Sequence, residues 1–267
     1  MNIAFTTLGC PDWTFLEVLD NAKTMGYQGI EIRGIEGEMR AENMGPLKPG
    51  KQQDTLRQLK VRNLTVPCYG SSIRFDDATQ KEAMLEEGRC AIDVCARMGI
   101  SYIRVFGDRI DDPRNEDRII SQVAEGISAL CAYAEGTDVG ILLEVHGDFN
   151  IVERILKTAE QIKSPKFGVL WDVQHSDKIY GDNFLPFYEP LKHLIRHVHV
   201  KDHHRADGAF KLCSVGEGDV PLKQIINRLK ADAFDGYFAL EWEKKWHPEL
   251  ADANTEFPSF VDFMRSV

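Results

Sequence analysis

Short apolar runs and amphipathic stretches alternate along the whole chain. The apolar runs are 2–7 (NIAFTT), 28–33 (QGIEIR), 64–69 (LTVPCY), 101–106 (SYIRVF), 139–145 (VGILLEV), 166–171 (KFGVLW), 195–200 (IRHVHV) and 236–241 (GYFALE). Each has strand length and is rich in β-branched or aromatic residues. Between them the apolar period lengthens to that of a helix. Thr14–Met25 places Phe15, Leu16, Val18, Leu19 and Ala22 on it, and Gln80–Met98 and Glu116–Ala134 repeat it over longer spans. Lys223–Ala231 gives a shorter helix, and a last one is predicted from about Pro258 to Arg265. An internal echo, AKTMGYQGIEI (22–32) against CARMGISYIRV (95–105), pairs a helix end with a Met-Gly stop and a strand. Gly26 and Gly99 are suited to end those helices in the left-handed conformation.

Strands alternating with helices pair in parallel under a helical layer. No linker or low-complexity tract divides the sequence, so a single domain over 1–267 is expected. Its length fits an α/β fold of the (β/α)8 barrel type, which averages about 250 residues. The rival, an open doubly wound sheet, lacks its signature here, because no GxGxxG follows the first strand.

Composition narrows the classes of function. The chain has 42 acidic and 32 basic residues, a formal net charge of −10, which disfavours a non-specific nucleic-acid or anionic-membrane binder. No apolar run approaches the ~20 residues of a membrane span. The start, MNIAFTTLGCPDW, reads as a first strand and not as a leader peptide. The six cysteines form no CxxC pair and mostly sit in apolar segments, as reduced core residues of a cytoplasmic protein do.

The candidate chemistry gathers at strand ends, where a (β/α)8 barrel builds its active site. The fifth strand ends in Glu144, then His146; the sixth in Asp172, then Gln174 and His175; the eighth in Glu241, then Glu243. The seventh runs into HVHVKDHH (197–204), which holds four of the eight histidines of the chain. Alternation puts His197, His199 and Lys201 on one face and Val198 and Val200 on the other. A wet antiparallel strand would show the same pattern. In a buried parallel strand the valines pack outward and the polar face looks into the barrel mouth. Three carboxylates converging on one imidazole need a compensating cation. Three oxygen donors and one nitrogen suit Mn2+ or Mg2+, with Co2+ or Zn2+ admissible. His199 is the expected ligand, His197 a support below it, and His203 and His204 loop residues.

LLEVHGDF (142–149), LWDVQHS (170–176), HVHVKDHHR (197–205) and GYFALEWE (236–243), together with the early GYQGIEIRG, resemble the sugar-phosphate isomerase/epimerase family of xylose isomerase-like TIM barrels. D-tagatose 3-epimerases and inosose dehydratases belong to the same superfamily. The resemblance spans nearly the whole chain. It implies one divalent metal held by Glu144, Asp172, His199 and Glu241. It also implies that Glu144 and Glu241 act as the acid/base pair of an epimerisation or isomerisation through a cis-enediolate. His175 and Arg205 match substrate-contacting positions of those epimerases. His146 and Lys201, beside them on the strand ends, are assigned with them to substrate binding. The implied substrate is a small sugar, cyclitol or sugar phosphate, with no nucleic-acid or membrane partner, and a homo-oligomer is left open. Two positions depart from the tagatose type: Asn150 stands where a glutamate is usual, and Lys201-Asp202 where Gly-Glu is. The family label therefore carries further than any one substrate.

Four rival functions are weighed. An inosose-type dehydratase would start from the same enolate and the same metal. A metal-free aldolase would use Lys201 as its Schiff-base amine. A sugar-binding protein would keep the barrel without turnover. An apurinic-site endonuclease would need histidines at the third and fourth strand ends, which read CYGSS (68–72) and VFGDR (105–109). GEGDVP (216–221) lacks the Gly-Lys-Ser/Thr of a phosphate loop and is expected to turn the chain into a helix near Pro221. HHRADG (203–208) is read as a solvated or site-covering loop, and Trp242, Trp246 and His247 as a wall of the site.

Overall fold

The computed structural model describes residues 1–206 and 208–267. Eight parallel strands form a nearly closed barrel with helices between them. They are β1 (Asn2–Thr6), β2 (Gly29–Glu31), β3 (Cys68–Arg74), β4 (Tyr102–Phe106), β5 (Gly140–Glu144), β6 (Phe167–Asp172), β7 (Ile195–Val200) and the eighth barrel strand, labelled β10 (Tyr237–Leu240) because a hairpin intervenes. The lateral order is β2-β1-β10-β7-β6-β5-β4-β3. The ring is completed between β2 and β3 by two isolated parallel bridges, Gly29 to Thr65 and Ile32 to Tyr69. The hairpin is β8 (Asp202–Ala206) with β9 (Ala209–Cys213), antiparallel and outside the barrel sheet.

The helices are α1 (Phe15–Met25), α2 (Gln52–Arg62), α3 (Lys81–Met98), α4 (Glu116–Tyr133), α5 (Val152–Gln161), α6 (Val173–Tyr180), α7 (Leu185–Leu191), α8 (Leu222–Ala231) and α9 (Ala253–Arg265). Thr14 caps α1 in a reciprocal box with Glu17. Gly26 and Gly99 end α1 and α3 at φ of 92° and 66°, the left-handed stops expected of them.

Two expectations move. The third strand starts at Cys68, not at residue 64, because Pro67 has no N–H for the ladder and Thr65 makes only a bridge. The last helix starts at Ala253 and carries Pro258 inside it. The lost backbone bond is offset by burial of Phe257, Phe260, Val261 and Met264. Phe257 joins an aromatic cluster with Phe5, Trp13 and Tyr27, whose hydroxyl donates to the Phe257 carbonyl at 2.8 Å.

Alternation along the strands sorts the side chains. Ile103, Val105, Ile141, Leu143, Val169, Val198 and Val200 join the large core that the helices cover. The inward positions form layers. Cys68, Leu142 and Leu170, with Tyr102 against them, make a small apolar floor. Above it the inward residues are charged or imidazole: Glu31, Arg104, Glu144, Asp172, His197 and His199, all fully buried or nearly so. The barrel therefore has a greasy floor and an ionic upper storey, which only a mutually paired set of charges makes tolerable.

Candidate active site

The four strand-end residues converge. Glu144, Asp172, His199 and Glu241 each offer one ligand atom, and these atoms lie within 4.8 Å of one another, all buried. Backbone structure fixes each of them. Asp172 ends β6 and caps α6: its Oδ1 accepts from the backbone N–H groups of Gln174 (2.9 Å) and His175 (3.2 Å). That leaves Oδ2 turned to the cluster. His199 sits on β7 in register with Asp172 on one side and Ala239 on the other. Glu144 is the last residue of β5, and Glu241 follows β10.

His199 is held from both sides. Its Nε2 lies 3.0 Å from both oxygens of Glu31, and its Nδ1 faces Glu241 (3.2 Å) and Glu144 (3.5 Å). Glu31 also accepts from His197 Nε2 at 2.7 Å. A carboxylate only accepts, so it keeps the His199 proton on Nε2 and frees Nδ1 to face the cluster. Burial opposes a charge on either partner. The His199 and His197 imidazoles nonetheless hold the Glu31 carboxyl down at about 2. Burial likewise opposes a charge on His199, but Glu241 and Glu31 raise it well above its ordinary range. A cation bound at the cluster would take the place of the Nδ1 proton.

Lys201 reaches the same centre. Its Nζ lies 2.7 Å from Asp172, 2.7 Å from Glu241 and 2.9 Å from Glu243. Against the burial penalty, the Asp172 and Glu241 charges hold its ammonium well above the usual lysine range. Such a lysine is a charged donor, the opposite of the neutral amine a Schiff base requires. On the β4 side, buried Arg104 approaches Glu144 at 2.9 Å and lies 3.9 Å over the Phe106 ring.

The carboxyl groups split in response. Burial pushes Asp172 up, more than Lys201 pulls it down. Burial also acts to raise Glu144 and Glu241, but Arg104 prevails at the first, and His199 with Lys201 at the second, so both lie below the ordinary glutamate range.

The donor set fits a metal ion. Glu144 Oε2, Asp172 Oδ2, His199 Nδ1 and Glu241 Oε2 are all buried without a hydrogen bond. Arg104, Glu241 and Lys201 come within ion-pair distance of these atoms but at angles that make no hydrogen bond. One unsatisfied lone pair from each of four side chains is what a cation would satisfy.

The other expected residues divide. His146 and His175, whose rings are 4.4 Å apart, line a cavity of about 610 Å3 beside the cluster, together with Glu243 and His247. Burial, then the charges of Lys201 and His146, hold His175 well below the usual histidine range, so it serves as a neutral imidazole. Arg205 is not among the residues lining this cavity. Its guanidinium is held by Asp177 and by Asp182, the latter at 3.0 Å.

Two readings of the 203–208 segment need correction. His203 is not a loop residue: it lies in β8, fully buried, with Nε2 2.9 Å from Asp177. The segment itself is hairpin, since extended pairing runs from Asp202 opposite Cys213 to Ala206 opposite Ala209. Asp207 within it lies outside the described residues. His204 is exposed on β8. Asp202 leaves Lys201 alone and instead accepts from the backbone of Gly216, Gly218 and Val220, which folds GEGDVP into the predicted turn. Trp242 is core, donating to the Ala251 carbonyl at 2.9 Å, while Trp246 is half exposed.

Glu31, Arg104 and Asp177 are the participants that sequence reasoning missed. A charged residue in mid-run between apolar neighbours, as in Ile30-Glu31-Ile32 or Ile103-Arg104-Val105, was the available signal. Parallel strands are buried on both faces, so such a charge must point into the barrel.

Comparison with known proteins agrees with this fold. The model of the family described as xylose isomerase-like TIM barrel matches residues 19–266. Fructoselysine 3-epimerase of Shigella flexneri is 24% identical over 231 residues, covering 83% of this chain and 82% of that protein. Among solved structures, the IolI protein with a bound zinc atom superimposes with a TM-score of 0.81 at 16% identity, covering 99% of this chain and 97% of the other. The probable 3-DHS dehydratase AsbF from Bacillus anthracis gives 0.78 at 16% identity, covering 99% of each.

Proposed function

The chain belongs to the xylose isomerase-like TIM barrel family and is an isomerase-type enzyme. On that premise we propose that it is a divalent-metal-dependent epimerase or isomerase of a small sugar, cyclitol or sugar phosphate. Its ligands are Glu144, Asp172, His199 and Glu241. The observation that carries this reading is the set of four buried, unsatisfied donor atoms, one from each of these residues. Three hard oxygens and one imidazole favour Mn2+ or Mg2+, with Co2+ or Zn2+ as alternatives.

When bound, the ion supplies Lewis-acid polarisation of the substrate carbonyl. The protein's own groups move the protons. Glu144 and Glu241 approach the centre from strands separated by β6 and β7. One carboxylate removes the proton beside the carbonyl to give a cis-enediolate, and the other returns a proton to the opposite face. The lowered pKa values, supported by Arg104 and His199, keep the abstracting carboxylate ionised and ready to accept, and the returning one takes up a proton from solvent before it donates. His146 and His175 are proposed to hydrogen-bond sugar hydroxyls from the cavity wall. Lys201 steadies Glu241 and Asp172 and donates toward substrate oxygen. Arg205 acts at one remove through Asp177.

The test is metal content per chain after Mn2+ loading and desalting, for wild type and His199→Ala. About one retained ion, lost in the variant, is expected. Metal-dependent deuterium uptake from D2O into a panel of keto-sugars, keto-inositols and their phosphates follows. No retention in either protein, or no uptake across the panel, overturns the proposal.

A further inference from the structure

The cavity beside the cluster has a charge pattern that the proton-transfer chemistry does not use. Its volume, about 610 Å3, falls in the range of about 300–1,000 Å3 typical of small-molecule pockets. Its acidic residues are already engaged: Glu243 with Lys201 at 2.9 Å, and Glu249 with His247 at 3.2 Å. Its lysines are not. Lys178 and Lys211 line the cavity and have no carboxylate partner among the described residues. Lys178 is partly buried, one helical turn beyond Gln174 and His175 on α6, and its Nζ stands 5.7 Å from the centre of the Phe210 ring. The charges of Asp172, Glu243 and Asp177 offset part of the cost of burying this ammonium, but none of them forms an ion pair with it, which leaves its N–H donors open toward the cavity. The apolar lip above it, Phe210 and Leu212, comes from the hairpin that Asp177 and Asp202 anchor.

Resting on the proposed reading of the metal centre, we infer that the mouth of this barrel is an anion subsite: Lys178 and Lys211 receive a carboxylate or phosphate carried on the sugar away from its reacting carbons. The ligand class is therefore an acidic sugar derivative. Its ring lies at the cluster, and its charged appendage is clamped between α6 and the hairpin. A charged group held there lends binding energy to orient the distant carbonyl.

Titration calorimetry with inorganic phosphate and with succinate tests this on the full chain freed of divalent ions, since both anions also bind metals. Saturable binding in the millimolar range is expected, weaker by about tenfold or more in Lys178→Gln, weakened also in Lys211→Gln, and recovered in Lys178→Arg. Tighter phosphate than succinate identifies a phosphate ester; the reverse order identifies a carboxylate. Thermal melts of the variants matching wild type exclude unfolding as the cause. Absence of binding, or equal binding in wild type and both glutamine variants, overturns the inference. The two proposals fail separately. Loss of anion binding with one retained Mn2+ removes the subsite alone, and anion binding without metal retention removes the metal reading alone.

Discussion

Replacing Glu31 with glutamine isolates the control of His199 from the proposed metal ligands themselves. The side chain keeps its shape but exchanges one acceptor oxygen for a donor. Glu31 Oε1 lies 3.0 Å from His199 Nε2, while Oε2 lies 3.0 Å from the same nitrogen and 2.7 Å from His197 Nε2. Whichever way the amide turns, its NH2 group and its carbonyl oxygen both stand 3.0 Å from His199 Nε2, so two charged acceptors become one neutral acceptor beside a donor. With the Nε2 proton less firmly held, the ring carries its proton more readily on Nδ1, the atom that faces Glu144 and Glu241. A metal must then displace that proton and forgo a charged partner behind the imidazole. Outer-shell carboxylate changes of this kind cost about 10–100-fold in metal affinity, or roughly 1.4–2.8 kcal/mol. Competition between the protein and a fluorescent chelator for Mn2+ measures it, with a thermal melt to establish that the variant is folded. A folded Glu31→Gln protein with the wild-type affinity, within about twofold, would refute the reasoning that Glu31 sets the ring's proton.

Other outcomes follow from the same geometry. Glu144→Gln and Glu241→Gln should each lower deuterium exchange into substrate by about 10²–10⁴-fold, read by mass spectrometry; a loss below about threefold for either removes it from the acid/base pair. Gly70→Ala places a methyl 2.8 Å from Arg104 Nη2 and 2.9 Å from Arg33 Cδ. Both arginines are buried, so urea unfolding should show a loss of about 1–3 kcal/mol. Asp177→Asn weakens the grip on His203 and Arg205, costing about 2 kcal/mol near neutral pH. Burial acts to raise Asp177, but His203 and Arg205 lower it below the ordinary 3.8, so its contribution is present above that pH and fades as pH falls below it. Urea midpoints of wild type and variant should therefore converge on acidification, and a gap that widens instead counts against the assignment.

The strand ends were legible because periodicity alone identifies strands, and a parallel barrel converts strand ends into one place. Glu144, Asp172, His199 and Glu241 needed nothing more. Glu31 was not found because its partners lie 166 and 168 residues away, and nothing local marks that meeting. Lys201 looked like a neighbour of Asp202 along the chain, yet Asp202 points away to bind the GEGDVP backbone. The hairpin escaped because HHRADG has no run of apolar residues: its pairing to β9 rests on backbone bonds and on the burial of His203, not on an alternating apolar face. The late start assigned to α9 failed for a related reason. Pro258 reads locally as a beginning, and only the aromatic cluster around Phe257 outweighs that preference.

The seam between β2 and β3 bears on how the molecule is made. A ribosome releases β1 and β2 first, yet β1 finds its main lateral partner only in β10, with Asn2 opposite Tyr237 and Phe5 opposite Leu240. On the other edge β2 has only its two bridges toward β3. During synthesis this first pair waits through more than two hundred residues with one edge bare, a contact of very long range that slows folding. Glu31 rides on that pair and Glu241 follows the strand that completes it. The candidate site is therefore finished only when the two ends of the barrel meet. A nascent chain stalled before β10 would carry Glu31, Glu144, Asp172 and His199 but lack Glu241 and the strand that closes the barrel, and would compete poorly for metal ions until β10 emerged.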